Sequence, residues 1–234
     1  MNGTERTRRG ESGRSRLPLP GVLVTVVAVG LMALVSWTAW PDLPETVHGG
    51  RTNLDGTPNM VPRMVLVLAL PLTTGFLAVA LSVSAVVGPR FQGALHEALS
   101  LPGAPTARSV TRGMNAVLCL LSLFLLVTHG VLVLGQAGWD VPVARVTGVV
   151  VGLFLVGLGL ALPRPEPRDG HDTPLVRWWV AAHRPMRIAI ALVGLVQAAV
   201  VLLVDHALVW ILAPLLLLPA MCAAMVHPVL RGRV

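Results

Sequence analysis

Six stretches of this chain contain no Asp, Glu or Arg and are long enough, or nearly so, to cross a membrane. A helix rises about 1.5 Å per residue, so about 20 apolar residues cross a hydrocarbon core of roughly 30 Å. The sequence therefore predicts an all-α polytopic membrane protein with six transmembrane helices. The predicted spans are 20–40, 64–88, 113–135, 146–162, 188–204 and 207–226.

The distribution of arginine predicts the orientation of these spans. All 18 basic residues are Arg, and 15 of them fall on the cytoplasmic side if the N-terminus is cytoplasmic. Cytoplasmic loops of membrane proteins carry this excess, so both termini are expected inside. The predicted organisation is a cytoplasmic Arg-rich tail over 1–19, a transmembrane domain over 20–226 and a cytoplasmic tail over 227–234. Its longer connections are an external loop over 41–63 and cytoplasmic loops over 89–112 and 163–187.

Composition and missing motifs argue against several classes of protein. Only 12% of residues are charged, whereas a soluble domain has about a quarter. The net charge of +7 follows the membrane rule, so we expect no direct nucleic-acid partner. Two Cys exclude a disulfide scaffold, and no phosphate-binding loop, HExxH, paired CxxC or serine elbow occurs. We expect no enzymatic activity, no catalytic residues, no resident metal and no cofactor.

The external loop is the largest segment predicted outside the membrane. Four prolines, a Gly49-Gly50 pair and an Asp55-Gly56 turn signal exclude a continuous helix and predict a compact, irregular loop. Loops of this length are often functional, although a solvated linker explains the spacing equally well.

Polar residues near the predicted external side form a second candidate site. His129 is the only ionisable side chain well inside a span, and Gln197 lies near the middle of the fifth span. Such groups either bridge helices by hydrogen bonds or take part in function. Together with external residues they would form a polar or metal-binding cluster if they meet. The cluster comprises His129, Asp140, Gln197, Asp205 and His206.

Two short interfacial helices are predicted on the cytoplasmic side. In the first, Phe91, Leu95 and Leu99 recur every four residues. The second begins at Pro174, and its Trp and Arg residues suit a helix resting among lipid headgroups. Its candidate contact residues are Trp178, Trp179, His183 and Arg184.

Short motifs resemble those of a known membrane-protein family. The run from Leu43 to Val47 reads LPETV, the turn from Gly56 to Asn59 reads GTPN, and an apolar LALPLTTGF run surrounds Pro71. A WVAAHR segment ends at Arg184. These features resemble the bacterial SdpI-like family of toxin-immunity and signal-transduction membrane proteins.

The resemblance implies a receptor in the bacterial cytoplasmic membrane that senses an exported peptide or envelope ligand. It also implies a cytoplasmic regulator as partner, contacted by the second interfacial helix, with the lipid bilayer around the spans. The external residues that would bind the ligand are Leu43, Pro44, His48, Asp55, Gly56 and Pro58. Two other functions are open: a small-molecule transporter or permease component that uses the polar cluster, and an accessory subunit of a larger membrane complex.

Overall fold

The protein is mostly helical in a computed structural model that describes residues 17–52, 56–99, 107–162, 174–204 and 215–230. The described chain forms a helix, a β-hairpin and then five more helices. The elements are α1 (Leu19–Ala39), β1 (Thr46–Thr52), β2 (Pro58–Pro62), α2 (Arg63–Leu99), α3 (Ala107–Gln136), α4 (Val143–Ala161), α5 (Pro174–Leu203) and α6 (Leu217–Leu230).

Five helices, α1 to α5, contain segments long and apolar enough to cross a membrane. This confirms the predicted helical architecture with long apolar helices that could span a membrane. Helix α6 has 14 residues, fewer than the about 20 that a membrane span needs. Residues 207–214, with which the predicted sixth span begins, lie outside the described residues. A sixth span and the cytoplasmic termini therefore stay predictions.

Large apolar side chains point outward from the helices, as a membrane environment requires. Phe76 on α2 is 72% exposed and Leu203 on α5 is 84% exposed. Several polar side chains are buried instead, among them Thr25, Ser122 and Gln197. A protein with an apolar exterior of this extent is stable in lipid, whereas in water its molecules would associate with one another.

Two helix pairs make the closest packing in the described structure. Helices α1 and α3 run parallel, because the residues that meet rise in number together on both helices. Helices α4 and α5 run antiparallel: Gly148 lies against Val201, and Gly159 lies against Ala191. Helix α3 also packs on α4, and α6 packs on α5. The bundle is therefore two tight pairs joined through α3 and α4.

The two predicted interfacial helices are not separate elements. Helix α2 continues to Leu99, and α5 runs unbroken from Pro174 to Leu203 with Pro185 inside it. We expected cytoplasmic loops over 89–112 and 163–187 that contain two short, separate helices. Proline is tolerated within membrane helices, where neighbouring groups replace the lost hydrogen bond, so it does not mark an end here.

The external loop differs most from its prediction. In place of an irregular loop in an all-α fold, it contains the antiparallel hairpin of β1 and β2. Gly56 has a φ of +83° in the turn, where the Asp55-Gly56 signal predicted one. The prolines at the two ends of β2 exclude helix but are tolerated in an edge strand.

Candidate functional site

The segment that leads into the hairpin is attached to the ends of α1 and α3 by a buried apolar side chain. Leu43 is only 3% exposed and packs with Ala39 of α1 and Val133 of α3. Val47 of β1 is 1% exposed, so the inner face of the hairpin is also covered. Burying side chains of this size stabilises the attachment by about 1.5–3 kcal/mol each. Leu43 was predicted to contact a ligand, but its burial assigns it to packing.

Arg63, the first residue of α2, joins the hairpin to α1. Its guanidinium lies 4.3 Å from the centre of the Trp40 ring, at cation–π distance. Its Nη1 donates a hydrogen bond of 3.1 Å to the carbonyl of Leu43, and its backbone N–H donates one of 3.0 Å to the carbonyl of Glu45. One residue thus holds the end of α1, the start of the hairpin and the start of α2 together.

The outer face of the hairpin is exposed. His48 on β1 pairs with Met60 on β2, and both side chains are exposed. The register shifts between His48 and Thr52, where β1 has three residues and β2 has only Asn59. Such a bulge bends and twists a strand locally. A Cβ added to Gly49 would lie 3.2 Å from the carbonyl oxygen of Asn59, so the two strands are close at the bulge.

The remaining predicted ligand residues lie in the hairpin or, in the case of Pro44, just before it. Pro44, His48, Gly56 and Pro58 are all exposed. Asp55 lies outside the described residues. His48 is the one ionisable side chain among the four, so it is the group best suited to recognise a polar ligand.

A seam of buried hydrogen bonds joins α1 to α3 within their candidate membrane spans. The α3 residues in the seam recur at intervals of seven, which keeps them on one side of the helix. This spacing is visible in the sequence, and we missed it because only His129 is ionisable. The pairs are Gly21 N–H to Asn115 Oδ1 at 2.9 Å, Thr25 Oγ1 with Ser122 Oγ at 2.8 Å, and Ser36 Oγ with His129 Nε2 at 2.8 Å.

His129 lies in this seam and is fully buried. Its Nε2 is 2.8 Å from Ser36 Oγ, while its Nδ1 makes no hydrogen bond of standard geometry among the described residues. The backbone of Met32, one turn before Ser36 on α1, also interacts with the ring. The position of His129 therefore fits the alternative in which its side chain joins two helices by a hydrogen bond.

The predicted external polar cluster is only partly within the described residues. His129 is buried between α1 and α3, Gln197 is buried on α5, and Asp140 is exposed in the turn between α3 and α4. Asp205 and His206 lie outside the described residues. Among the residues that are described, no group of three His, Cys, Asp or Glu side chains is placed to hold a metal ion.

The predicted cytoplasmic contact residues have different environments. Trp178 Nε1 donates a 2.9 Å hydrogen bond to the carbonyl of Met225, which fastens α5 to α6. His183 is buried, whereas Arg184 is exposed. The side chain of Trp179 lies outside the described part of the structure. Of these four, Arg184 is the most accessible described side chain.

The contact between α4 and α5 was not anticipated from the sequence. A Cβ added to Gly152 would lie 2.6 Å from the carbonyl oxygen of Gly194, so the two backbones nearly touch. Arg187 donates hydrogen bonds to the carbonyls of Gly159 at 3.1 Å and Leu160 at 2.7 Å. It therefore satisfies two unpaired carbonyls at the C-terminus of α4. The GVVVG run that ends at Gly152 was the available signal, because small residues four apart are typical of close membrane-helix contacts.

Comparison with protein-family models, with curated proteins and with solved structures gives no significant match for this chain.

Proposed function

We propose that this chain is a receptor of the bacterial cytoplasmic membrane that binds an exported peptide at its external hairpin. The observation that supports the proposal is that both ends of the hairpin are held: Leu43, just before β1, is buried against Ala39 and Val133, and Arg63, just after β2, donates a hydrogen bond to the carbonyl of Leu43. A hairpin of two strands is only marginally stable alone, so this attachment keeps the exposed face in a defined shape. A preformed surface binds a ligand with less loss of conformational entropy.

The peptide binds as an added strand on the free edge of β1. Both strands of a two-stranded sheet have an edge that can pair with an extended chain. The edge of β2 is weakened, because Pro58 and Pro62 have no N–H to donate. On β1, Thr46, His48 and Gly49 are exposed. Main-chain hydrogen bonds to β1 supply affinity, and the His48 side chain contributes specificity.

Helix α2 carries the signal of peptide binding to the cytoplasmic side. Strand β2 ends at Pro62 and α2 begins at Arg63, with no linker between them. The 37 residues of α2 extend about 55 Å, well beyond a hydrocarbon core of about 30 Å. A tilt of the hairpin therefore moves a continuous helix that ends at Leu99, on the side where Trp178, Trp179, His183 and Arg184 are predicted to contact a cytoplasmic regulator.

Photo-crosslinking tests the proposed receptor. A photoreactive amino acid at Thr46, in the full chain in native membranes, should capture a secreted peptide that mass spectrometry identifies. His48→Ala should reduce capture of that peptide about tenfold without reducing membrane insertion. The control position is Trp139, which is exposed in the turn between α3 and α4. Equal labelling at both positions, or unchanged capture with His48→Ala, would contradict the proposal.

The alternative function is a small-molecule transporter, and the burial of His129 and Gln197 among apolar helices is the observation that favours it. Buried polar groups in membrane helices often mark a substrate path. A transporter should give solute flux in proteoliposomes that falls with His129→Leu or Gln197→Leu. A receptor should give no flux with either the native chain or the variants.

A further inference from the structure

An exposed ridge on α5 separates two grooves that open to the membrane. Arg184, Ile188 and Leu192 follow one another at intervals of four residues, so they lie along one side of the helix. All three side chains are exposed. Each of them lines both grooves, one between α5 and α4 and the other between α5 and α6.

Each groove has an apolar floor. The groove on the α4 side has a volume of about 800 Å³ and is bordered by Val156, Leu160 and Leu195. The groove on the α6 side has a volume of about 550 Å³ and is bordered by Ala220 and Ala223. Both grooves open to the outside of the helix bundle, where the hydrocarbon of a bilayer would surround it.

The charge at one end of the ridge is positive. Arg184 makes no hydrogen bond or ion pair with another described residue, and Arg187 lies one turn further along in the α4-side groove. The described parts of α4, α5 and α6 contain no Asp or Glu. A guanidinium that is exposed, with no acidic neighbour in the described parts of these helices, favours an anion with oxygen acceptors, such as a phosphate.

The distance along α5 from Arg184 to Leu195, at the end of the α4-side groove, matches one leaflet of the bilayer. Arg184 and Leu195 are 11 residues apart in the same helix, which corresponds to about 16 Å. Half of the hydrocarbon core is about 15 Å. A phosphate at Arg184 therefore leaves room for an acyl chain to follow α5 as far as Leu195.

We propose that the ridge of α5 is a binding site for an anionic phospholipid. The phosphate binds Arg184, and the two acyl chains lie on either side of the ridge, one in each groove. Basic sites between membrane helices on the cytoplasmic side suit anionic lipid headgroups, and the positive-inside rule predicts that Arg184 lies on that side. This site is independent of the external hairpin, so its test does not depend on the proposed receptor.

Native mass spectrometry of the full, delipidated chain tests the site. The probes are phosphatidylglycerol and phosphatidylcholine with identical acyl chains, added in equal amounts. The native chain should retain phosphatidylglycerol preferentially, because choline neutralises the phosphate of its competitor. Arg184→Gln should reduce retention of phosphatidylglycerol about tenfold, as expected for one charge-assisted hydrogen bond. Retention of phosphatidylcholine should be unchanged.

Two further variants separate the headgroup contact from the grooves. Arg112→Gln removes an exposed arginine of α3 that borders neither groove, so it should retain both lipids as the native chain does. Ala223→Phe fills the α6-side groove and should reduce retention of both lipids. If Arg184→Gln and Arg112→Gln behave alike, or Ala223→Phe has no effect, the proposed site is wrong. Circular dichroism of each variant checks that its helices are retained.

Discussion

The imidazole of His129 and the hydroxyl of Ser36 lie 2.8 Å apart, fully inside the packed contact between α1 and α3. The two residues are 93 positions apart in the chain, so this hydrogen bond helps to set how the two helices rotate against each other. Buried hydrogen bonds between membrane helices stabilise by about 0.6 kcal/mol on average and by up to about 2 kcal/mol.

Removing the hydroxyl should destabilise the pair of helices. Ser36→Ala leaves His129 Nε2 buried without its partner and should lower the free energy of unfolding by about 1–2 kcal/mol. Unfolding in mixed detergent micelles measures this loss. The control is Thr38→Ala, since the exposed Thr38 hydroxyl bonds only to Val35 of its own helix. Equal losses for the two variants would show that the Ser36 bond has no special role.

The contact between Arg63 and Trp40 should control the mobility of the hairpin. Trp40→Leu removes the cation–π interaction, worth about 0.5–2 kcal/mol, and should speed amide hydrogen exchange in β1 and β2 several-fold. Trp37→Leu is the matched control, because Trp37 is 80% exposed one helical turn away. Hydrogen exchange followed by mass spectrometry compares the two variants. Unchanged exchange in Trp40→Leu would contradict the role assigned to Arg63.

The close contact of α4 with α5 should not tolerate a methyl group. In Gly152→Ala the new Cβ would meet the backbone of Gly194 and Ala198, which can move only if the helices separate. Overpacking of this kind costs about 1–3 kcal/mol. Gly30→Ala is the control, since no atom of another helix lies within 4 Å of the added Cβ in the described part of the structure. Thermal unfolding in micelles should show a loss for Gly152→Ala and no loss for Gly30→Ala.

The indole of Trp178 should determine how firmly α6 is held. Trp178→Phe keeps an aromatic ring but loses the 2.9 Å hydrogen bond to the carbonyl of Met225. It should lower the free energy of unfolding by about 1 kcal/mol and increase proteolysis near the C-terminus. Trp139→Phe, at an exposed position in the turn after α3, should change neither quantity. Equal proteolysis of the two variants would exclude Trp178 as the residue that fastens α6.

Proline and glycine correctly predicted the turn of the hairpin, but local sequence wrongly predicted where one helix ends. Around Gly56 they predicted a turn, and the structure has one with positive φ. The second interfacial helix was predicted to be separate from the fifth span, but α5 continues from Pro174 to Leu203 with Pro185 inside it. Local composition indicates where a helix is disfavoured. It does not show whether neighbouring helices compensate for the lost hydrogen bond.

The amino-acid sequence by itself determined that the chain forms long apolar helices that could span a membrane, and it determined nearly where five of them run. Hydropathy acts over about 20 consecutive residues, so it can be read along the chain. Only the tertiary structure decided that the external loop is a hairpin, that Leu43 is buried, and that His129 pairs with Ser36. These features depend on how distant helices rotate and approach, and hydropathy is nearly the same for every such arrangement.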